Sequence, residues 1–98
     1  MKNVTELVEL RDRAYEGGVE LKNAIVNKTG KNVYDYLQMH VHKMTQAAQH
    51  GRINEFMDEV ILFSNQFGLQ IPRALLEGMT DMRKFDVVSR SYIIGVFS

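Results

Sequence analysis

The sequence predicts an all-α protein, and three observations carry that reading. Apolar residues recur at three- and four-residue spacing along most of the 98 residues. A single Pro, at position 72, leaves too few breakers for the many turns of a β-sandwich. Gly30, Gly51, Gly68 and Gly78 fall between the periodic stretches. The expected architecture is one domain over residues 1–98: a small antiparallel helical bundle of four main helices plus a short helical turn. A chain of this length buries roughly 60–68% of its unfolded surface, enough for one core.

Asn3, with Glu6 three residues later, has the spacing of a capping box and opens the first helix. Leu7, Leu10, Ala14, Leu21 and Ile25 form its stripe. Gly17-Gly18 interrupts the pattern at about 1 kcal/mol per Gly relative to Ala. Gly18 lies on the stripe, where a missing side chain admits another backbone, and a continuous helix is expected through the pair. Asn27 to Asn32 is a polar loop, and Asn32 is placed to cap the second helix.

Val33, Leu37, Val41, Met44 and Ala48 keep one face over a helix running from Asn32 to His50. Gly51 suits the left-handed residue that closes it. Asn54 is the expected cap of the third helix, with Glu55, Asp58 and Glu59 set against its N-terminal dipole. Phe56, Val60, Ser64 and Phe67 repeat the stripe, Ile61 and Phe63 widen it, and Gly68 closes it. The short connection at Gly51 makes the second and third helices antiparallel neighbours.

Ile71-Pro72 begins a brief helical turn through Glu77, with Pro in the first turn. Asp81 is placed to cap the last helix, striped by Phe85, Val88, Tyr92 and Val96. Its β-branched end, Tyr92 to Phe97, could read as a strand. Nothing else in the chain offers a strand to pair with, so helix is expected.

Composition excludes several functions. With no Cys there is no disulfide and no thiolate metal site, which suits a reducing cytoplasm. The longest uncharged apolar run, Tyr92 to Phe97, is far short of the roughly 20 residues that span a bilayer, so no membrane partner is expected. Glu6 and Glu9 follow Met1-Lys2-Asn3 where a secretory leader would be apolar. His40 and His42 form an H-x-H, but residues two apart on a helix point about 200° from one another. Neither Ser64 nor Ser91 sits in a nucleophile motif. No catalytic residue, metal site or cofactor is expected.

Zero net charge conceals a segregation: −2 over residues 1–21, +4 over 22–54 and −2 over 55–98. Lys22, Lys28, Lys31, Lys43 and Arg52 meet Asp35 alone in the middle segment, and amides and His40, His42 and His50 surround them. Positive surface rich in hydrogen-bond donors focuses polyanions, so these five are the candidate nucleic-acid-binding residues.

Four phrases, in order, carry a family resemblance. Arg13-Ala14-Tyr15-Glu16-Gly17-Gly18-Val19-Glu20-Leu21 is the first and Phe56 to Phe63 the second. Gly68-Leu69-Gln70-Ile71-Pro72 follows, and Lys84-Phe85 leads into Ser91-Tyr92-Ile93-Ile94-Gly95-Val96. Together they resemble the C-terminal helical bundle of the large subunit of type I-B CRISPR effector complexes (Cascade). That bundle is also made as a separate small subunit, which a chain holding only the bundle resembles.

The resemblance implies a non-catalytic subunit in several copies along the guide-RNA filament. Its implied partners are the backbone and large subunits, further copies of itself, guide RNA and target DNA. Family bundles carry more basic residues in the second helix than His40, His42 and Lys43 supply here. Arrayed copies offset weak single contacts, because linked contacts multiply. Two other readings stand beside it. One is a helical adaptor or antitoxin-like module that binds only protein. The other is a helix-turn-helix reader, opposed by Glu55, Asp58 and Glu59 at the start of the third helix, which would repel phosphates.

Overall fold

The computed structural model describes the backbone of residues 2–98 and the side chains of residues 5–98, all in helices and connecting turns with no strand. The elements are α1 (Lys2–Thr29), α2 (Val33–Leu37), α3 (Met39–Gln49), α4 (Ile53–Gln66), α5 (Arg73–Gly78) and α6 (Met82–Val96). Twenty-eight residues of α-helix extend about 42 Å. The molecule measures 43 × 22 × 20 Å, so α1 runs its full length; α2, α5 and α6 pack on it, α3 packs on α6 and α4 on α3. One buried cluster extends from Leu10 to Val96 and draws on all six helices.

Consecutive limbs reverse direction. His40 on α3 meets Glu59 on α4, and Tyr36 on α2 meets Gln66, so these limbs are antiparallel across the Gly51 turn. The segment after Gly68, with α5, makes the return that lets α6 run parallel to α1. Lys84 near the start of α6 lies 3.0 Å from Glu6 near the start of α1. Farther along, Gly95 packs on Tyr15 and Gly18.

That crossing is where the two glycines of α1 are used. A Cβ on Gly18 would overlap the Tyr92 carbonyl oxygen and come within 3.0 Å of the Gly95 Cα. One on Gly95 would overlap the Tyr15 carbonyl oxygen. Gly17 faces Pro72 in the same way, with 2.5 Å to the ring Cγ. The helix continues unbroken through the pair, and the helical propensity it sacrifices is returned as backbone-to-backbone contact. Phe56 stands edge-on to both Phe85 and Tyr92, at 5.5 and 6.1 Å between ring centres, tying α4 to this pair.

The turns follow the local chemistry at most joints. Asn32 Oδ1 accepts from the Asp35 amide at 2.8 Å, and Asp81 Oδ1 accepts from Arg83 at 2.7 Å. Gly51 and Gly68 both have a φ of 66°. The amide just beyond each one donates back into the helix, Arg52 to Ala47 at 2.9 Å and Leu69 to Ser64 at 2.8 Å. The stripes Leu10, Ala14, Leu21, Ile25 and Phe85, Val88, Tyr92, Val96 are buried, and residues 92–96 are helical.

Several expectations need correction. The helix expected from Asn32 to His50 is broken at Gln38, whose φ of 49° and ψ of −121° no helix contains. Asn54 is not a cap: closure of α3 through Gly51 and Arg52 places Arg52 at the cap, and Asn54 falls inside α4. Ile61 is 41% exposed on the outer side of α4, and Leu7 and Val41 are only half-buried. Pro72 stands at the cap of α5 rather than in its first turn, and α5 extends one residue beyond Glu77. The backbone is already helical at Lys2, ahead of the expected cap at Asn3, whose side chain lies outside the described residues.

Candidate nucleic-acid interface

The five candidate cations fall into two groups. Lys28 is in the last turn of α1, where a cation complements the helix dipole, and its Nζ lies 3.5 Å from the Phe67 carbonyl at the end of α4. Lys31 is exposed in the following turn, tied through its backbone amide to Thr29 Oγ1 at 3.1 Å. Lys22 is half-buried on α1, six residues before Lys28, which puts the two about 120° apart around the helix. Lys43 on α3 and Arg52 at the start of α4 form the second group. Lys28 and Arg52 thus mark opposite ends of a 14-residue helix, about 21 Å long.

Lys43 and Arg52 share a groove between α3 and α4. His42, Lys43 and Gln46 line one wall, and Glu55, Asp58 and Glu59 line the other. The absence of carboxylates between Tyr36 and Asn54 does not make this surface uniformly basic, because the turn at Gly51 folds the acids of α4 against it. Arg52 lies 3.6 Å from Glu55, both more than half exposed, a pairing that contributes little to stability. Lys43 and Asp58 make no ion pair among the described residues.

The three histidines go separate ways. His40 Nδ1 is 2.8 Å from Glu59 Oε2, with the carboxylate side chain only 12% exposed and the imidazole edge-on to Phe63 at 5.0 Å. His50 Nε2 meets Gln46 Oε1 at 3.1 Å along α3. His42 is exposed in the groove. The first of these contacts spans 19 residues and the Lys28 contact spans 39. Neither has a signal in local spacing.

What this arrangement offers chemically is charge and donors, held on helices and the turns beside them at two stations along a rod. Lys31 projects at one end, and Lys43 and Arg52 farther along, with amides from Gln46 and Gln49 on the same helix as Lys43. Such groups bind phosphate oxygens and carry no base code. No family model, curated protein or solved structure matches the chain.

Proposed function

We propose that this chain is a non-catalytic subunit of an RNA-guided DNA surveillance complex, the small subunit of the type I-B CRISPR Cascade kind. In this reading several copies lie along the guide-RNA filament in the cytoplasm, against the backbone and large subunits. Lys22, Lys28, Lys31, Lys43 and Arg52 steady guide RNA or target DNA through phosphates, while base pairing carries sequence choice.

One observation supports it above the rest. The four phrases that carry the family resemblance meet one another in space. Gly17 of the first meets Pro72 of the third, and Gly18 meets Tyr92 and Gly95 of the last. Phe56 of the second packs on Phe85 and Tyr92. Packing of these phrases into one centre is what a shared fold requires of them.

A second reading, a helical adaptor binding only protein, draws on the groove between α3 and α4. Its facing walls of opposite sign suit a partner helix bearing both charges better than a bare polyanion.

The test is co-expression of the tagged chain with the large and backbone subunits and a guide RNA, followed by purification with and without nuclease. The proposal expects co-elution in more than one copy per complex, lost or weakened when the RNA is digested. Capture of protein partners that ignores nuclease would favour the adaptor, and failure to join the complex at all would remove the first reading.

A further inference from the structure

The joint between α2 and α3 carries two instructions that disagree. Val33, Leu37, Val41, Met44 and Ala48 keep a single stripe across it, and no Gly or Pro interrupts residues 32–50. Every local signal therefore asks for one helix. The backbone instead turns at Gln38, with φ 49° and ψ −121°, and it is the one non-glycine residue with positive φ among the described residues. A glutamine there is sterically disfavoured, and such conformations persist only where surrounding contacts over-determine them.

Those contacts are identifiable: the side chains of α4 hold Tyr36 and His40, while α2 also packs on α1. Before the break, the Tyr36 hydroxyl donates to Gln66 Oε1 at 2.8 Å, and its ring packs on Phe63 and Phe67 at 6.2 and 5.5 Å. After the break, His40 meets Glu59 at 2.8 Å and stands edge-on to Phe63. Tyr34 stacks on Phe97 at 4.8 Å, and Val33 and Leu37 are buried. The joint itself is poorly supplied. Gln38 provides no side-chain cap for α3. Of the bonds near the joint, Gln38 donates to Tyr34 and Val41 to Gln38, while Met39 to Asp35 and His40 to Tyr36, which a continuous helix would add, are not made. Met39 is left 69% exposed.

We infer that the α2–α3 joint is a two-state element: a broken form, clamped on α4 by Tyr36 and His40, exchanging with a continuous helix over residues 33–49. Side chains on α4 favour the broken form, and backbone geometry with two added hydrogen bonds favours the continuous one. The balance is set within the fold, so a partner that engages Glu59, Gln66 or the Phe63–Phe67 surface biases it. Straightening withdraws Tyr36 from Phe63 and Phe67 and uncovers an aromatic surface at the end of α4. The inference concerns the isolated chain and stands whichever partner binds.

Because the chain has no Cys, spin labels go only where they are placed. Cysteines at Asp35 on α2 and Asn65 on α4, both exposed, report the distance across the joint. The two-state joint predicts two distance populations in the full chain by pulsed dipolar spectroscopy. Gln38→Gly, which tolerates the positive φ, should enrich the shorter one at least fivefold. Gln38→Ala, which favours helix and disfavours that φ, should enrich the longer one, and so should Glu59→Gln. Gln38 is exposed, so neither substitution at that position threatens the core. A single population that none of the three substitutions shifts would overturn the inference and leave the break a fixed kink.

Discussion

The α1–α6 pair and the α3–α4 pair are built on opposite terms. Where α1 crosses α6, backbone touches backbone at Gly18 and Gly95, and the lining is fully apolar apart from Tyr92 and buried serines. Between α3 and α4 the outer groove is lined by charge, and the inner contacts include a His–Glu pair beside a strained backbone. The first pair leaves no room for added volume at Gly18 and Gly95. The second carries exposed charge on its outer side over a buried face that includes Met44, Ala47, Phe56, Val60 and Phe63. Of the candidate binding residues, Lys43 and Arg52 line the groove of the second pair, while Lys22 and Lys28 lie on α1 of the first.

Truncating the core tests the rigid half most severely. Phe56→Ala removes the ring that Phe85 and Tyr92 pack against and should cost about 3–5 kcal/mol in denaturant unfolding. A loss under about 1 kcal/mol would mean that α4 is not anchored to the α1–α6 centre.

Gly95→Ala comes next, and its sign is the informative part. In an exposed helix this change gains about 1 kcal/mol. Here the new methyl overlaps the Tyr15 carbonyl, so a loss of about 1–3 kcal/mol is expected. Gain instead of loss would show that the helices do not approach as closely as described.

A smaller effect appears only in alkali. Burial raises the Tyr92 phenol well above its ordinary range, and the neighbouring Ser64 hydroxyl pulls modestly the other way. An unfolded tyrosine ionises near pH 10, while the folded chain keeps this proton to higher pH. Its contribution is therefore whole below about pH 10 and erodes as pH rises beyond that. Tyr92→Phe should remove that part of the alkaline loss. Lys84, held above its ordinary value by Glu6, contributes in the same direction and remains in the variant. Identical alkaline profiles for parent and variant would place Tyr92 in contact with water.

Much of the rigid half was legible in the sequence. Helical periodicity finds the stripes of α1 and α6, Asp81 caps α6, and Asn32, Gly51 and Gly68 mark the start of α2 and the ends of α3 and α4 by chemistry that acts within five residues. Gly18 on an apolar stripe marks either a close approach or a helix break, and the unbroken α1 with Tyr92 and Gly95 against it selects the first. Gln38 carries no such mark, since periodicity is blind to one residue whose φ changes sign. Asn54 was misread because the closing turn at Gly51 set the start of α4 before its side chain could act. The site was the less legible half. Charge counted along the chain shows a basic segment, but the pairing of α3 with α4 places Glu55, Asp58 and Glu59 beside Lys43 and Arg52. Charge segregated in sequence is not charge segregated on a surface.

That leaves the claim that the exposed cations meet phosphate. The direct measurement is target-DNA affinity across a salt series, in effector complexes rebuilt with each variant and matched for subunit content. Each phosphate contact to a single strand contributes about −0.7 to the slope of log affinity against log salt. Replacing Lys31, Lys43 and Arg52 with Ala should flatten the slope by about 2 per engaged copy without changing which sequences are bound. Replacing Arg11, Arg13 and Arg73 should change it much less. A fully assembled complex that carries the first triple variant and keeps the parental slope would contradict the account.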